Sequence, residues 1–139
     1  MQPLAHLARL GESARGDAGQ AGLDFVKVAT VAELDAHLQR ADRPVMLDFY
    51  ADWCVSCKEM ERFTFSDPAI RARLSKALLL KADVTANSPD DVALLKRFQL
   101  FGPPGTIFFG AGGQEVPGVR VIGFQNAEKF SATLDAAGV

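Results

Sequence analysis

The sequence predicts an α/β fold: a central mixed β-sheet, mostly parallel, flanked by helices on both faces. Three observations carry that expectation. Short apolar runs alternate with helical patterns along most of the chain. One run, residues 45–50, is apolar apart from a single acid, which suits a central strand covered on both sides. The last two runs, 106–109 and 119–122, are joined by a glycine-rich stretch around Gly112 and Gly113, short enough for an antiparallel hairpin.

Taken in order, residues 1–22 read as a flexible linker or tail. Gly11, Ser13, Gly16, Gly19, Gln20 and Gly22 interrupt any periodic pattern, and nothing caps the turn or two that Leu4, Leu7 and Leu10 suggest. The folded part is expected over 23–139. It opens with a short strand over 25–28. Thr30 and Glu33 have capping-box spacing, which starts a helix over 31–40 with Val31, Leu34 and Leu38 inward. The central strand at 45–50 leads into a tight turn and a helix to about residue 62. Ser66, Asp67 and Pro68 start another helix to about 74, with a cap and a first-turn proline. Residues 77–84 are a strand, apolar except at Lys81 and Asp83. Ser88 and Pro89 start a helix to Phe98 with Val92, Leu95 and Phe98 on one side. After the expected hairpin, Asn126 caps a last helix to about 136 with Phe130 and Leu134 inward.

Composition narrows the function. The chain has 139 residues, 48% of them hydrophobic, enough for one packed domain without disulfide staples. Ten of the aromatic residues are Phe, which needs no polar partner when buried, and Phe101, Phe108 and Phe109 are expected in the core. A formal net charge of −2 provides no basic stripe, so no nucleic-acid partner is expected. No segment approaches the roughly 20 apolar residues of a membrane span, and the start lacks the apolar stretch of a secretory signal.

The chain has two cysteines, three positions apart: Trp53-Cys54-Val55-Ser56-Cys57-Lys58. They follow a predicted buried strand and open a predicted helix. A cysteine at a helix start faces unpaired N–H groups and the positive end of the dipole, which favour thiolate, the nucleophile of disulfide exchange. Cys54 is therefore the expected attacker. Cys57, one turn on, is placed to resolve the mixed disulfide. A zinc site needs four ligands, and His6 and His37 lack metal spacing to the pair, so no metal is expected. Covalent haem attachment needs His after the second Cys, where Lys58 stands. A buried structural pair would not need a helix start. No cofactor beyond the cysteines themselves is expected.

The stretch from Asp48 to Lys58, read as Asp-Phe-Tyr-Ala-Asp-Trp-Cys-Val-Ser-Cys-Lys, resembles the active-site strand and turn of the thioredoxin superfamily. The continuations Glu59-Met60-Glu61-Arg62-Phe63-Thr64-Phe65-Ser66-Asp67 and Ala82-Asp83-Val84-Thr85-Ala86-Asn87 are similar to the C-terminal periplasmic domain of the DsbD family of thiol:disulfide interchange proteins, over about residues 23–134. The resemblance implies a thioredoxin fold and a protein-disulfide reductase tethered to the inner membrane and working in the periplasm. It implies electrons received from a membrane-embedded domain of the same protein and passed to that protein's N-terminal periplasmic domain. That domain in turn supplies disulfide isomerases and cytochrome c biogenesis. The domain itself is expected to be monomeric, and the tail would be the remnant of a linker from a membrane helix.

Further residues are read beside this resemblance. Asp48 interrupts the apolar central strand, where a buried carboxylate is costly unless protonated or paired. The resemblance casts it as proton acceptor for Cys57. Glu61 lies four residues after Cys57, one turn along the same face. Most such acids are simply solvated, but the DsbD family carries a matching one. Asp48 and Glu61 are expected together to oppose ionisation of Cys54. Pro104 aligns with the family's cis-proline, with an ordinary trans loop as the plain alternative. Pro103 before it has no N–H, so one backbone hydrogen bond to a partner is lost. Gly105 stands where a larger residue is usual. Trp53 and Tyr50 are expected to flank the substrate groove with these prolines, and Lys58 to be an exposed helix residue. Two alternatives stay open: a free-standing thioredoxin-like reductase, and a non-catalytic binding or chaperone module on the same fold.

Overall fold

A computed structural model describes residues 22–139. The expected tail lies, but for Gly22, outside the described residues. The elements run β1 (Phe25–Lys27), α1 (Val31–Gln39), β2 (Val45–Tyr50), α2 (Val55–Glu59), a π-helical turn (Met60–Thr64), α3 (Pro68–Leu74), β3 (Leu78–Asp83), α4 (Pro89–Arg97), β4 (Gly105–Phe109) and α5 (Ala127–Ala137). The sheet order is β1-β3-β2-β4, with β1, β3 and β2 parallel and β4 antiparallel to β2. Among the described residues no helix is long and apolar enough to cross a membrane.

Local sequence explains most boundaries. Thr30 caps α1 by accepting from the Glu33 N–H. The Glu33 carboxylate accepts from Ala29 N–H at 2.7 Å, one residue before the cap, so the expected box closes one position early. In α4 the box is complete: Ser88 Oγ accepts from Asp91 N–H, and the Asp91 carboxylate accepts from Ser88 N–H. Asp67 caps α3 with Pro68 behind it, and Asn126 caps α5.

Two apolar clusters lie on opposite faces of the sheet. Under α1 and α4, Leu34, Leu38, Leu94 and Leu95 meet Leu47, Phe49, Leu80, Ile107 and Phe109. Under α3, α5 and the π-helical turn, Met60, Phe65, Ile70, Leu74, Phe130 and Leu134 meet Met46, Leu79 and Phe108. The Phe65 and Phe130 rings meet edge to face, 5.7 Å apart. Each fully buried Phe or Leu contributes about 1.5–3 kcal/mol, so both layers are needed.

Three expectations are corrected. Residues 119–122 do not form a strand: the chain after β4 returns through two isolated bridges, Phe109 to Glu115 and Thr106 to Val121. Pro117 has no N–H and Gly118 stands at φ +80°, so the ladder is interrupted between them. Val92 is exposed on α4, and Leu94 takes the inward position assigned to it. The helix after the cysteines is α-helical only to Glu59. It then widens by one residue, Phe65 N–H donating to the Met60 carbonyl five residues back.

Candidate active site

β2 ends at Tyr50, and three residues, Ala51, Asp52 and Trp53, bring the chain to Cys54, the cap of α2. Cys54 and Cys57 form a disulfide with Cα atoms 5.3 Å apart. Cys57 N–H donates to Cys54 Sγ at 3.1 Å. Cys57 Sγ lies 3.7 Å from the Phe49 carbonyl oxygen, which can accept from the thiol once the bond is reduced. Both cysteines are buried, while Trp53 and Val55 around them are 60% and 70% exposed. The disulfide thus sits just below a rim of apolar side chains. Trp53 is held there by its indole N–H, which donates to the Thr85 carbonyl at 3.1 Å. Thr85 Oγ1 accepts from Asp52 N–H on the same turn.

Asp48 points to the face that carries Met46, and strand pairing sets Lys81 of β3 on one side of it and Thr106 of β4 on the other. It is buried, and burial pushes its carboxyl up to about 8; the Lys81 ammonium pulls it back and Glu61 pushes it further. Glu61 projects from the π-helical turn onto the same group, its carboxylate 3.2 Å from Lys81 Nζ. Burial raises the Glu61 carboxyl above the usual carboxylate range, against the pull of Lys81. Lys81 Nζ also stands 4.0 Å from the centre of the Tyr50 ring. The structure therefore brings Asp48 and Glu61 together around Lys81, which the sequence predicts only as a residue of the strand over 77–84. Its signal was visible: Lys81 and Asp83 interrupt an apolar strand two positions apart, as Asp48 interrupts β2.

Tyr50 is buried rather than an open groove wall. Its hydroxyl donates to Asp52 at 3.1 Å and accepts from Lys58 Nζ at 3.2 Å, which ties exposed Lys58 to the strand end. Pro103 and Pro104 are half-buried with a cis peptide bond between them, as the alignment of Pro104 implied. Gly105 pairs with Phe49, so this loop lies at the same sheet end as the cysteines. Gly105 also serves packing: a Cβ there would sit 3.0 Å from Leu100 Cδ1. Phe108 and Phe109 are in the core, but Phe101 is fully exposed at the start of the loop, which corrects its assignment. No cluster of three metal-ligating side chains occurs among the described residues.

A cysteine pair at the start of a helix, one of them capping it, can do thiol–disulfide exchange. The profile of the thioredoxin-like domain family matches residues 32–138. The thiol:disulfide interchange protein DsbD of Ralstonia nicotianae is 56% identical over 140 residues, covering 99% of this chain and 22% of that protein. The C-terminal domain of Neisseria meningitidis DsbD in its oxidised form superposes with a TM-score of 0.68 at 37% identity, covering 81% of this chain and 99% of that one. This chain belongs to the DsbD family. It corresponds to the family's C-terminal, thioredoxin-like periplasmic domain, whose chemistry is exchange at the cysteine pair. The thioredoxin fold is shared more widely: a Thermus thermophilus thioredoxin superposes with a TM-score of 0.65 at 26% identity. The chain spans about a fifth of the length of the DsbD proteins it matches.

Proposed function

We propose that this domain is a dithiol electron relay in the periplasm, tethered to the inner membrane. It would take two electrons from a membrane-embedded part of the full-length protein and pass them to that protein's N-terminal periplasmic domain. Cys54 is the nucleophile: its thiolate attacks one sulfur of the partner disulfide, breaking that bond and releasing the first partner thiol. Cys57 then loses its proton and attacks Cys54 Sγ, closing the disulfide and releasing the second. Two electrons and two protons pass to the partner. The observation that carries the assignment is the hydrogen bond from Cys57 N–H to Cys54 Sγ, which would favour charge on Cys54.

Asp48 and Glu61 act together against that charge in this reading. With Asp48 pushed up to about 8 and Glu61 raised, their pocket resists negative charge. A thiol kept protonated reacts less with unintended disulfides, which suits a reductant in an oxidising compartment. In this reading ionised Asp48 would also take the Cys57 proton. Trp53, Pro103 and Pro104 would line the partner groove.

The deciding measurement is the reduction potential of the Cys54–Cys57 pair against a thiol couple of known potential. A value near the roughly −270 mV of thioredoxin supports a donor of electrons, and one near the roughly −120 mV of a strong oxidant reverses the direction. Replacing both acids, Asp48→Asn with Glu61→Gln, is expected to lower the Cys54 thiol pKa; an unchanged titration would remove them from the mechanism. Cys54→Ser abolishes exchange, while Cys57→Ser traps the partner as a mixed disulfide on Cys54, seen as a covalent adduct by mass.

A further inference from the structure

The π-helical turn makes a second connection, away from the charged group. Thr64 at its end is completely buried, and its hydroxyl donates to the Gln125 carbonyl oxygen at 2.5 Å. Met60 at its start is also buried, and its Sδ accepts from Gln125 N–H at 3.4 Å. The Gln125 side chain is held as well, Oε1 accepting from the Thr133 hydroxyl at 2.8 Å. Both backbone groups of Gln125 are thus gripped by the helical segment that begins at the disulfide. Four residues earlier, Val121 is tied to Thr106 by two backbone hydrogen bonds of 2.9 Å, two positions past Pro104.

Residues 122–124 are therefore anchored at both ends, to the proline loop's strand and to the active-site helix. Yet this anchored loop turns apolar side chains to water: Ile122 is 64% exposed and Phe124 42%, with Gly123 at φ +106° between them. A Cβ at Gly105 would come within 4.0 Å of Ile122, so the loop lies against the start of β4. Trp53 and Val55 beside the cysteines and Phe101 at the start of the proline loop are exposed as well. Pro103 and Pro104 offer a docking strand no N–H, which shifts recognition from backbone pairing toward these side chains.

We propose that Thr64 is a positioning residue for docking: through Gln125 it holds the 122–124 loop so that Ile122 and Phe124 receive apolar side chains flanking a partner protein's disulfide. The inference rests on the reading of this domain as a reductant of protein disulfides. Thr64 touches neither the cysteines nor the partner. It acts by fixing where the loop stands.

The test uses the reduced 139-residue chain and three probes: a disulfide-bridged peptide flanked by Leu and Phe, the same peptide flanked by Ser and Asp, and glutathione disulfide. Wild-type protein is expected to prefer the apolar peptide by about tenfold in kcat/KM. Thr64→Val should raise KM for that peptide until the preference is gone, with little change in kcat and less than a twofold change with glutathione disulfide. Thr64→Ser should restore it. Phe124→Ser, at an exposed position that leaves the clamp intact, should reproduce the loss. The inference is overturned if wild type reduces the two peptides equally, if Thr64→Val slows all three probes alike, or if Phe124→Ser has no effect. If wild type reduces glutathione disulfide and neither peptide, the reading as a protein-disulfide reductant fails first, and the docking role with it.

Discussion

On the face under α1 and α4, the strands present Leu47 and Phe49, Leu80 and Ala82, Ile107 and Phe109, every one apolar and buried. On the other face the same strands begin alike, with Met46, Leu79 and Phe108, and then place Asp48 beside Lys81 under Glu61. Asp48 is nearly as well covered as its apolar counterparts. The difference is therefore in chemistry, not in burial. One face is built for cohesion, and the other gives up cohesion where the sheet reaches the disulfide. A buried acid that must hold a proton is costly, and it sits where a thiol must gain and lose one.

The largest effect that separates the faces should come from Leu94, fully buried under α4. Leu94→Ala is expected to cost about 2–5 kcal/mol of stability by urea unfolding, with the loss constant from pH 4 to pH 9. A loss below about 1 kcal/mol, or one that varied with pH, would show that this face is not the purely apolar layer described.

Asp48→Asn should behave in the opposite way. In the unfolded chain the carboxyl loses its proton near its ordinary value of 3.8, whereas in the folded domain it keeps it up to about 8. Between those values the folded state binds the extra proton, so this group's contribution to stability falls as pH rises from about 4 to about 8 and is flat above. Asparagine carries no such penalty. The variant should therefore gain on wild type steadily through that window, reaching a few kcal/mol at its upper end. Parallel stability curves for the two proteins would mean that Asp48 ionises normally.

Much of this contrast could be read before the structure. The apolar run at β2 with one acid in it, the caps at Thr30, Asp67, Ser88 and Asn126, and the cysteine spacing each have a local cause, and local causes survive folding. What was not legible depends on distant residues. Lys81 became part of the site because parallel pairing sets it beside Asp48, a register that no short window contains. Phe101 looked like core because Phe usually is, but its position is decided by a loop whose placement depends on β4. The return strand at 119–122 failed because Pro117 and Gly118 outweigh a run of β-branched residues. The π-helical turn left no sequence mark at all, yet it carries both Glu61 and Thr64.

The smallest change, and the one that sharpens the comparison most, is Lys81→Met. Lys81 lowers the carboxyl pKa of both Asp48 and Glu61, and it is the ammonium whose contacts reach Glu61 and the Tyr50 ring. Methionine keeps the stem's packing and removes the charge. Asp48 should then hold its proton above about 8, and Glu61 should rise further, which can be followed through their carboxyl signals in a pH titration. The stability loss at neutral pH should be smaller than that of Leu94→Ala, because Glu61 can escape an unpaired charge by taking up a proton. The pH window found with Asp48→Asn should extend upward in a Lys81→Met background, since the folded-state midpoint that closes it has moved. If the Asp48 midpoint stayed put or fell, the cation would not be governing the acid pair, and the charged face would need another organising group.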